Sequence, residues 1–236
     1  MNRELRHSEV HVWTAHVASL EDHRAGSSGS SISREEEERA TRFVNPRDRR
    51  RYRFRRALLR KVLAEYLSCH PREIRYGYGC QGKPSVEGAG DFYFNLSRSG
   101  DHVAIAVTRC ADIGIDIEVI REVPNAECIA DHFFSHLEIA ELGSVPADGR
   151  SLAFLRGWTR KEAFVKATGG GLASPLDEFT VSLSPSDQPT LRSTSVRWNA
   201  EEWSLWSFQP SASVIGAIAL HSPDFRIRVF DSSQIS

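Results

Sequence analysis

Gly114-Ile115-Asp116-Ile117-Glu118 is the stretch on which the fold turns. Apolar and acidic side chains alternate, the mark of a strand whose neighbours project to opposite faces. Ile113, Ile115 and Ile117 take one face; Asp116 and Glu118 take the other. Two carboxylates side by side repel unless a cation sits between them. A second stretch, Trp158-Thr159-Arg160-Lys161-Glu162-Ala163-Phe164-Val165-Lys166, reads as a helix. Trp158, Glu162 and Lys166 are spaced by four and share one helical face. A third carboxylate and an ammonium group one turn on complete a hard oxygen site for a divalent ion, with a cation beside it for phosphate.

Composition bounds the rest. A chain of 236 residues forms one large domain or two small ones with a real core. It is 40% hydrophobic and 26% charged, ordinary for a soluble globular protein. The formal charge of -1 argues against a nucleic-acid coat protein, although arginine crowds into residues 34 to 61 and acids dominate 112 to 141. Cys69, Cys80, Cys110 and Cys128 form no CxxC pair, so free thiols in a reducing compartment are expected. The N-terminus carries no apolar signal region, and the longest apolar run, Val214 to Leu220, is too short to span a bilayer. A cytoplasmic protein without membrane or nucleic-acid partner is the expectation.

Along the chain, Val10 to Val17 predicts a strand, and Glu21 to Ser33 an exposed loop. Ser33 with Glu36 fits a capping box that opens a helix over Arg34 to Phe43. Asn45-Pro46 breaks it, and a long helix follows over Arg47 to Ser68. Strands are expected at Ile74 to Tyr78, Phe92 to Leu96, Val103 to Thr108 and Asp112 to Val119. The pattern then restarts: helices over Ala126 to Leu142 and Ser151 to Thr168, the latter stopped by Gly169-Gly170-Gly171. Strands follow at Phe179 to Leu183, Trp203 to Gln209, Val214 to Leu220 and Phe225 to Phe230, with Trp198, Trp203 and Trp206 on a sheet face and a frayed tail past Asp231. The order implies an α+β fold of two similar subdomains, 1–119 and 120–236. Each places helices on a small antiparallel sheet, and the two are pseudo-two-fold related. A metal held by Asp116, Glu118 and Glu162 lies in the cleft between them.

Five pieces in order carry a family resemblance: Gly82-Lys83-Pro84, Phe94-Asn95-Leu96-Ser97, Gly114 to Glu118, Phe133-Phe134-Ser135 with Glu138, and Trp158 to Lys166 running into Gly169-Gly170-Gly171-Leu172. Over roughly residues 40 to 180 the chain resembles a 4'-phosphopantetheinyl transferase of the larger, pseudo-dimeric type that serves secondary-metabolite synthases. The resemblance implies transfer of the phosphopantetheine arm of coenzyme A to a serine of an acyl- or peptidyl-carrier protein, in fatty-acid, polyketide, nonribosomal-peptide or siderophore synthesis. Adenosine 3',5'-bisphosphate is the by-product.

The implied site is specific. Asp116, Glu118 and Glu162 hold Mg²⁺, with Mn²⁺ as a substitute, and Glu162 is also a candidate base for the serine hydroxyl. Lys166 holds the pyrophosphate as a point charge. Lys83 reaches a phosphate and Pro84 stiffens the turn against coenzyme A. Arg47, with Arg51, Arg39 and Arg42 behind it, takes the 3'-phosphate; most of the arginines here are expected on a solvated face, paired with glutamates 35 to 38. Arg98 follows Ser97 where the family commonly has histidine. Phe133 and Phe134 belong in the core, and the His132/His136 pair lacks a third zinc ligand. The duplication implies a monomer. Two alternatives use the same residues: a metal-dependent hydrolase of coenzyme A or nucleotides, and a non-catalytic coenzyme A or RNA binding module.

Overall fold

The computed structural model describes residues 3–17, 31–171, 174–185, 188–193 and 198–235. Most of the expected loop from Glu21 to Ser33, and Leu172 of the glycine motif, lie outside these. The first half contains β1 (Glu9–His16), α1 (Arg34–Thr41), α2 (Pro46–Leu67), the pair β2 (Tyr76–Tyr78) and β3 (Pro84–Val86), the hairpin β4 (Tyr93–Ser99) and β5 (His102–Thr108), and β6 (Ile113–Val119). The second contains α3 (Ala126–Phe133), α4 (His136–Ser144), α5 (Ala147–Thr168), the pair β7 (Phe179–Val181) and β8 (Leu191–Ser193), the hairpin β9 (Ser204–Ser211) and β10 (Val214–Leu220), and β11 (Arg226–Asp231). Each half thus has a 22-residue helix, a short strand pair, a hairpin and a final strand.

The final strands cross over. β6 pairs antiparallel with β10 in a sheet ordered β6-β10-β9. β11 runs parallel to β1 at the edge of a sheet ordered β11-β1-β5-β4. Each half therefore lends a strand to the other's sheet, and the larger sheet is mixed. A parallel edge is possible because β11 returns from the far half and is not hairpin-linked to its partner.

The layers follow from side-chain alternation. Trp13, Ile105 and Val107 face α2, whose Leu58, Leu59, Val62 and Leu63 cover them. On the opposite face Val10, Val12, Ala104 and Ala106 meet Ile113, Ile115 and Ile117 of β6. The other face of β6 receives α5, through Ala163 and Ala167. The order is helix, sheet, sheet, helix.

Several features differ from the sequence expectation: β3 and β8 were not foreseen, and α5 starts at Ala147 instead of Ser151. Residues 126 to 142 are two helices, because Phe134 is extended and Ser135 caps a new start, its hydroxyl accepting the Glu138 N–H. Phe133 is exposed, while Phe134 is buried. The tail forms a 3-10 turn over Ser232–Gln234, capped by Asp231, and Ile235 packs on the first core.

Two features lock α5. Lys161 and Glu138 are both wholly buried, with Nζ 2.7 and 2.6 Å from the carboxylate oxygens and 2.7 Å from the Phe179 carbonyl. The Glu138 carboxylate also accepts the Ser135 and Val181 N–H groups. Such a pair gives little net stability but is costly to split, so it fixes register. At Gly114 the helix lies directly on β6: a Cβ there would stand 2.0 Å from the Ala163 carbonyl oxygen and 2.4 Å from the Ala167 nitrogen. Both obstacles are helix backbone and cannot rotate away. Gly114→Ala is expected to cost about 3 kcal/mol or more in urea unfolding; a loss below about 1 kcal/mol means the helix slides freely on the strand.

Candidate active site

Asp116 sits where α5 crosses β6 and is 6% exposed. Oδ1 lies 2.6 Å from the Lys166 ammonium and accepts the Ser97 hydroxyl at 2.7 Å. Oδ2 is buried and has no hydrogen-bond partner among the described residues. Burial raises the Asp116 pKa to about 6; Lys166 and Ser97 oppose the rise and the Glu162 carboxylate adds to it. Glu162 is thus an electrostatic neighbour of Asp116. It is half-buried and has no ion-pair partner among the described residues. Lys166 also points at the Ser97 hydroxyl and the Ile115 carbonyl, each at 3.3 Å.

The third carboxylate stands apart. Glu118 accepts the Ser99 hydroxyl and the Arg121 guanidinium, both at 2.8 Å. Among the described residues no three histidine, cysteine or acidic side chains are gathered to hold an ion. The structure therefore brings Asp116, Glu162 and Lys166 together and ties Glu118 to Arg121. Asp116 and Glu162 still fit a divalent cation. An orphaned carboxylate oxygen with a second carboxylate in electrostatic range is a donor set that a hard ion satisfies, and Mg²⁺ takes few protein ligands. The half-exposed Glu118–Arg121 pair is cheap to open.

Two cavities meet here. One, of about 430 Å³, is lined by Lys83, Pro84, Phe133, Trp158, Glu162 and Lys166. Its neighbour, of about 680 Å³, shares Pro84, Asn95 and Leu96 with it and adds Arg39, Arg51, Arg55, Arg56 and Arg98. Lys83 bonds the Asp112 carboxylate at 2.8 Å and the Ala167 carbonyl at 2.7 Å, so it caps the end of α5 as it lines the cleft. Arg47 and Arg51 are both bonded to Asp101, at 2.9 and 2.6 Å, and Arg47 lines neither cavity. Four other arginines pair with glutamates 35 to 38, Arg53 with Glu37, Arg56 and Arg60 with Glu36 and Arg34 with Glu38, fewer than the sequence suggested; Arg49 instead bonds the Phe43 carbonyl. His132 bonds the Cys128 carbonyl.

Sequence reasoning missed a seam. Alternate side chains of β4 hydrogen-bond the backbone of β6: the Ile115 N–H donates to Asn95 Oδ1 at 3.0 Å, Ile117 to Ser97 Oγ at 3.3 Å, and Val119 to Ser99 Oγ at 3.0 Å. The signal was three short polar residues at a spacing of two, Asn95, Ser97 and Ser99, on one face of the strand. Asp101 and Arg55 were missed too; nothing in a run of arginines says which are left unpaired.

With this geometry in place, kinship is informative. Residues 112–219 match the family model of the 4'-phosphopantetheinyl transferase superfamily, and residues 21–110 match that of the 4'-phosphopantetheinyl transferase N-terminal region. The chain therefore belongs to the 4'-phosphopantetheinyl transferases. It is 34% identical to the 4'-phosphopantetheinyl transferase HetI of a Nostoc species over 225 residues, covering 93% of this chain and 90% of that one. It is 35% identical to the 4'-phosphopantetheinyl transferase Sfp of Bacillus subtilis over 162 residues, covering 69% and 71%.

A proton and a dication compete for Asp116. Manganese(II) affinity, read by electron paramagnetic resonance, is expected to fall as pH drops through about 6, approaching about tenfold per pH unit. Affinity that stays level across that range removes Asp116 from the ligand set.

Proposed function

We propose that the chain transfers the 4'-phosphopantetheine arm of coenzyme A to a serine of an acyl- or peptidyl-carrier protein, releasing adenosine 3',5'-bisphosphate. One observation carries this reading: Asp116, with one buried oxygen that has no partner among the described residues, is bonded to Lys166 and within electrostatic range of Glu162, and Lys166 and Glu162 line a cleft that adjoins an arginine-lined cavity. A pyrophosphate at that junction leaves the nucleotide phosphates toward the arginines and the pantetheine arm toward Phe133, Trp158 and Leu96.

Mg²⁺ would be held by Asp116 and Glu162, with Glu118 as third ligand once released from Arg121, and Mn²⁺ would substitute. When bound, it neutralises charge that builds on the leaving phosphate. The protein's own groups do the rest. Lys166 holds the pyrophosphate, and Ser97 orients both Asp116 and Lys166 through its hydroxyl. Pro84 and Lys83 form the wall of the turn against the ligand. The serine oxygen bonds to the phosphorus that bears the pantetheine arm, and the bond from that phosphorus to the nucleotide phosphate breaks. The serine proton passes to Glu162 or to a water beside it. Arg47, Arg51 and Arg98 supply positive charge for the 3'-phosphate end. We take the enzyme to work as a cytoplasmic monomer of two subdomains, 1–119 and 120–236; no helix among the described residues is long and apolar enough to cross a membrane.

The test is to incubate the protein with coenzyme A, Mg²⁺ and an apo carrier domain and weigh the carrier by mass spectrometry. A gain equal to phosphopantetheine is expected. Glu162→Ala is expected to abolish it, and Asp116→Ala to slow it about a hundredfold or more. Coenzyme A cleaved with no gain in carrier mass contradicts the reading in favour of a hydrolase; no reaction at all leaves a binding module.

A further inference from the structure

The β2–β3 pair belongs to neither of the larger sheets. Each of its strands is three residues long. A two-stranded ribbon has little stability of its own, so contacts at its two ends decide where it stands. At one end the Tyr76 ring lies 6.0 Å from that of Phe94 and under the guanidinium groups of Arg56 and Arg60. At the other end the turn closes on itself. The Gly79 N–H donates to the Lys83 carbonyl and the Gly82 N–H to the Gly79 carbonyl, both at 2.9 Å. Gln81, Gly82, Lys83 and Pro84 of this turn line the cleft, as do Glu162 and Lys166 of α5. The turn comes from the first half and α5 from the second, so the width of the cleft depends on what joins them.

Lys83 joins them. Its ammonium donates to the Ala167 carbonyl at 2.7 Å and to an Asp112 carboxylate oxygen at 2.8 Å. Ala167 lies in the last turn of α5, where carbonyls lack a helical partner and a cation is favourable. Asp112 stands just before β6, and its own carbonyl accepts the His221 N–H at 3.0 Å. It does not line the cleft. The glycines that stop α5 press on the same turn: a Cβ at Gly169 would stand 3.6 Å from Lys83 Cδ, and one at Gly171 3.5 Å from Gln81 Cβ.

We propose that Asp112 is a positioning residue for coenzyme A: it holds the Lys83 ammonium on the end of α5 and so clamps the Gln81–Pro84 turn at a fixed distance from the helix that carries Glu162 and Lys166. The inference rests on the transferase reading and deepens it.

Two considerations support it. An ammonium has three donors. The clamp takes two, and the third is left for the cleft that Lys83 lines. The lysine is therefore directed by the clamp and still available to a ligand. The sign of the charge points the same way. A carboxylate near the place of a polyanion repels it, so Asp112 alone opposes coenzyme A, and its contribution comes through Lys83. The side chains of Lys83 and Asp112 are 19% and 55% exposed. A pair so open to water adds little stability; what it supplies is the direction of the lysine.

Isothermal titration of the full chain with coenzyme A reads the clamp by its sign. Asp112→Asn removes a negative charge near an anionic ligand, which by charge alone tightens binding. The clamp predicts a loss of about two- to fivefold, recovered in large part by Asp112→Glu. Lys83→Met, which also strips the Ala167 carbonyl of its donor, weakens binding about tenfold or more. Added to Lys83→Met, Asp112→Asn costs nothing further, because the two act as one unit. In carrier modification the Asp112→Asn loss falls on KM for coenzyme A more than on kcat. Amide hydrogen exchange reads the clamp without any ligand. In Asp112→Asn the Gly79 and Gly82 N–H groups exchange about threefold faster or more, while the Val181 N–H, held by Glu138, is unmoved. Equal or tighter coenzyme binding by Asp112→Asn, a full second loss in the double variant, or unchanged exchange at the turn overturns the clamp. Neither titration nor exchange involves a carrier, so a protein that shows both effects yet modifies no carrier sinks the transferase reading and leaves the clamp standing.

Discussion

Helix α5 rests on β6 with no side chain between them at Gly114, and most of the functional architecture descends from that contact. Close approach is what lets Lys166 reach Asp116 at 2.6 Å and what brings Glu162 within electrostatic range of the same carboxylate. A bulkier residue at 114 separates these groups by moving the helix, without touching any of them. The buried Lys161–Glu138 pair acts from the other side of the helix. Lys161 neighbours Glu162 in the chain, so a rotation of α5 that brings Glu162 off the cleft tears an ion pair out of a dry site. Glycine sets the distance and the ion pair sets the rotation.

The site is unstable by design of its charges. A carboxylate that is 6% exposed, has one oxygen without a partner among the described residues and feels another carboxylate's charge is costly in the protein alone. Lys166 meets part of the cost, and the raised Asp116 pKa records the remainder. The same strain recurs at the far end of the cleft, where Arg55 and Arg98 repel. Negative strain at one end and positive strain at the other suit a ligand that brings a cation and several phosphates together. The β4–β6 seam holds the two ends in one frame, because Ser97 belongs to both the seam and the Asp116 network, and Arg98 is the next residue on the strand.

Much of this was legible in the chain. Alternation in Ile113 to Glu118 announced a strand with two different faces, and spacing by four placed Glu162 and Lys166 on one side of a helix. Local rules also found the Ser33–Glu36 capping box and the halt at Gly169, which takes φ 68. What stayed hidden depends on long-range pairing. Nothing in residues 226–231 says that their strand lies parallel to β1; the Glu118–Arg121 pair, by contrast, is three residues apart and was open to a local reading. Phe133 and Phe134 look alike as neighbours, yet the chain bends between α3 and α4, so one is exposed at the cleft and the other is buried. Ion pairing within the arginine-rich helix is equally opaque, since Asp101 comes from a hairpin about fifty residues away.

The central claim is that the α5–β6 contact creates a dication site on Asp116 and Glu162 beside Lys166. Anomalous diffraction from a crystal grown with Mn²⁺ and coenzyme A tests it most directly. The account places a single strong peak against Asp116 Oδ2 and Glu162, with the pyrophosphate on Lys166. A peak on other residues, or the two carboxylates turned apart around a bound coenzyme, contradicts it.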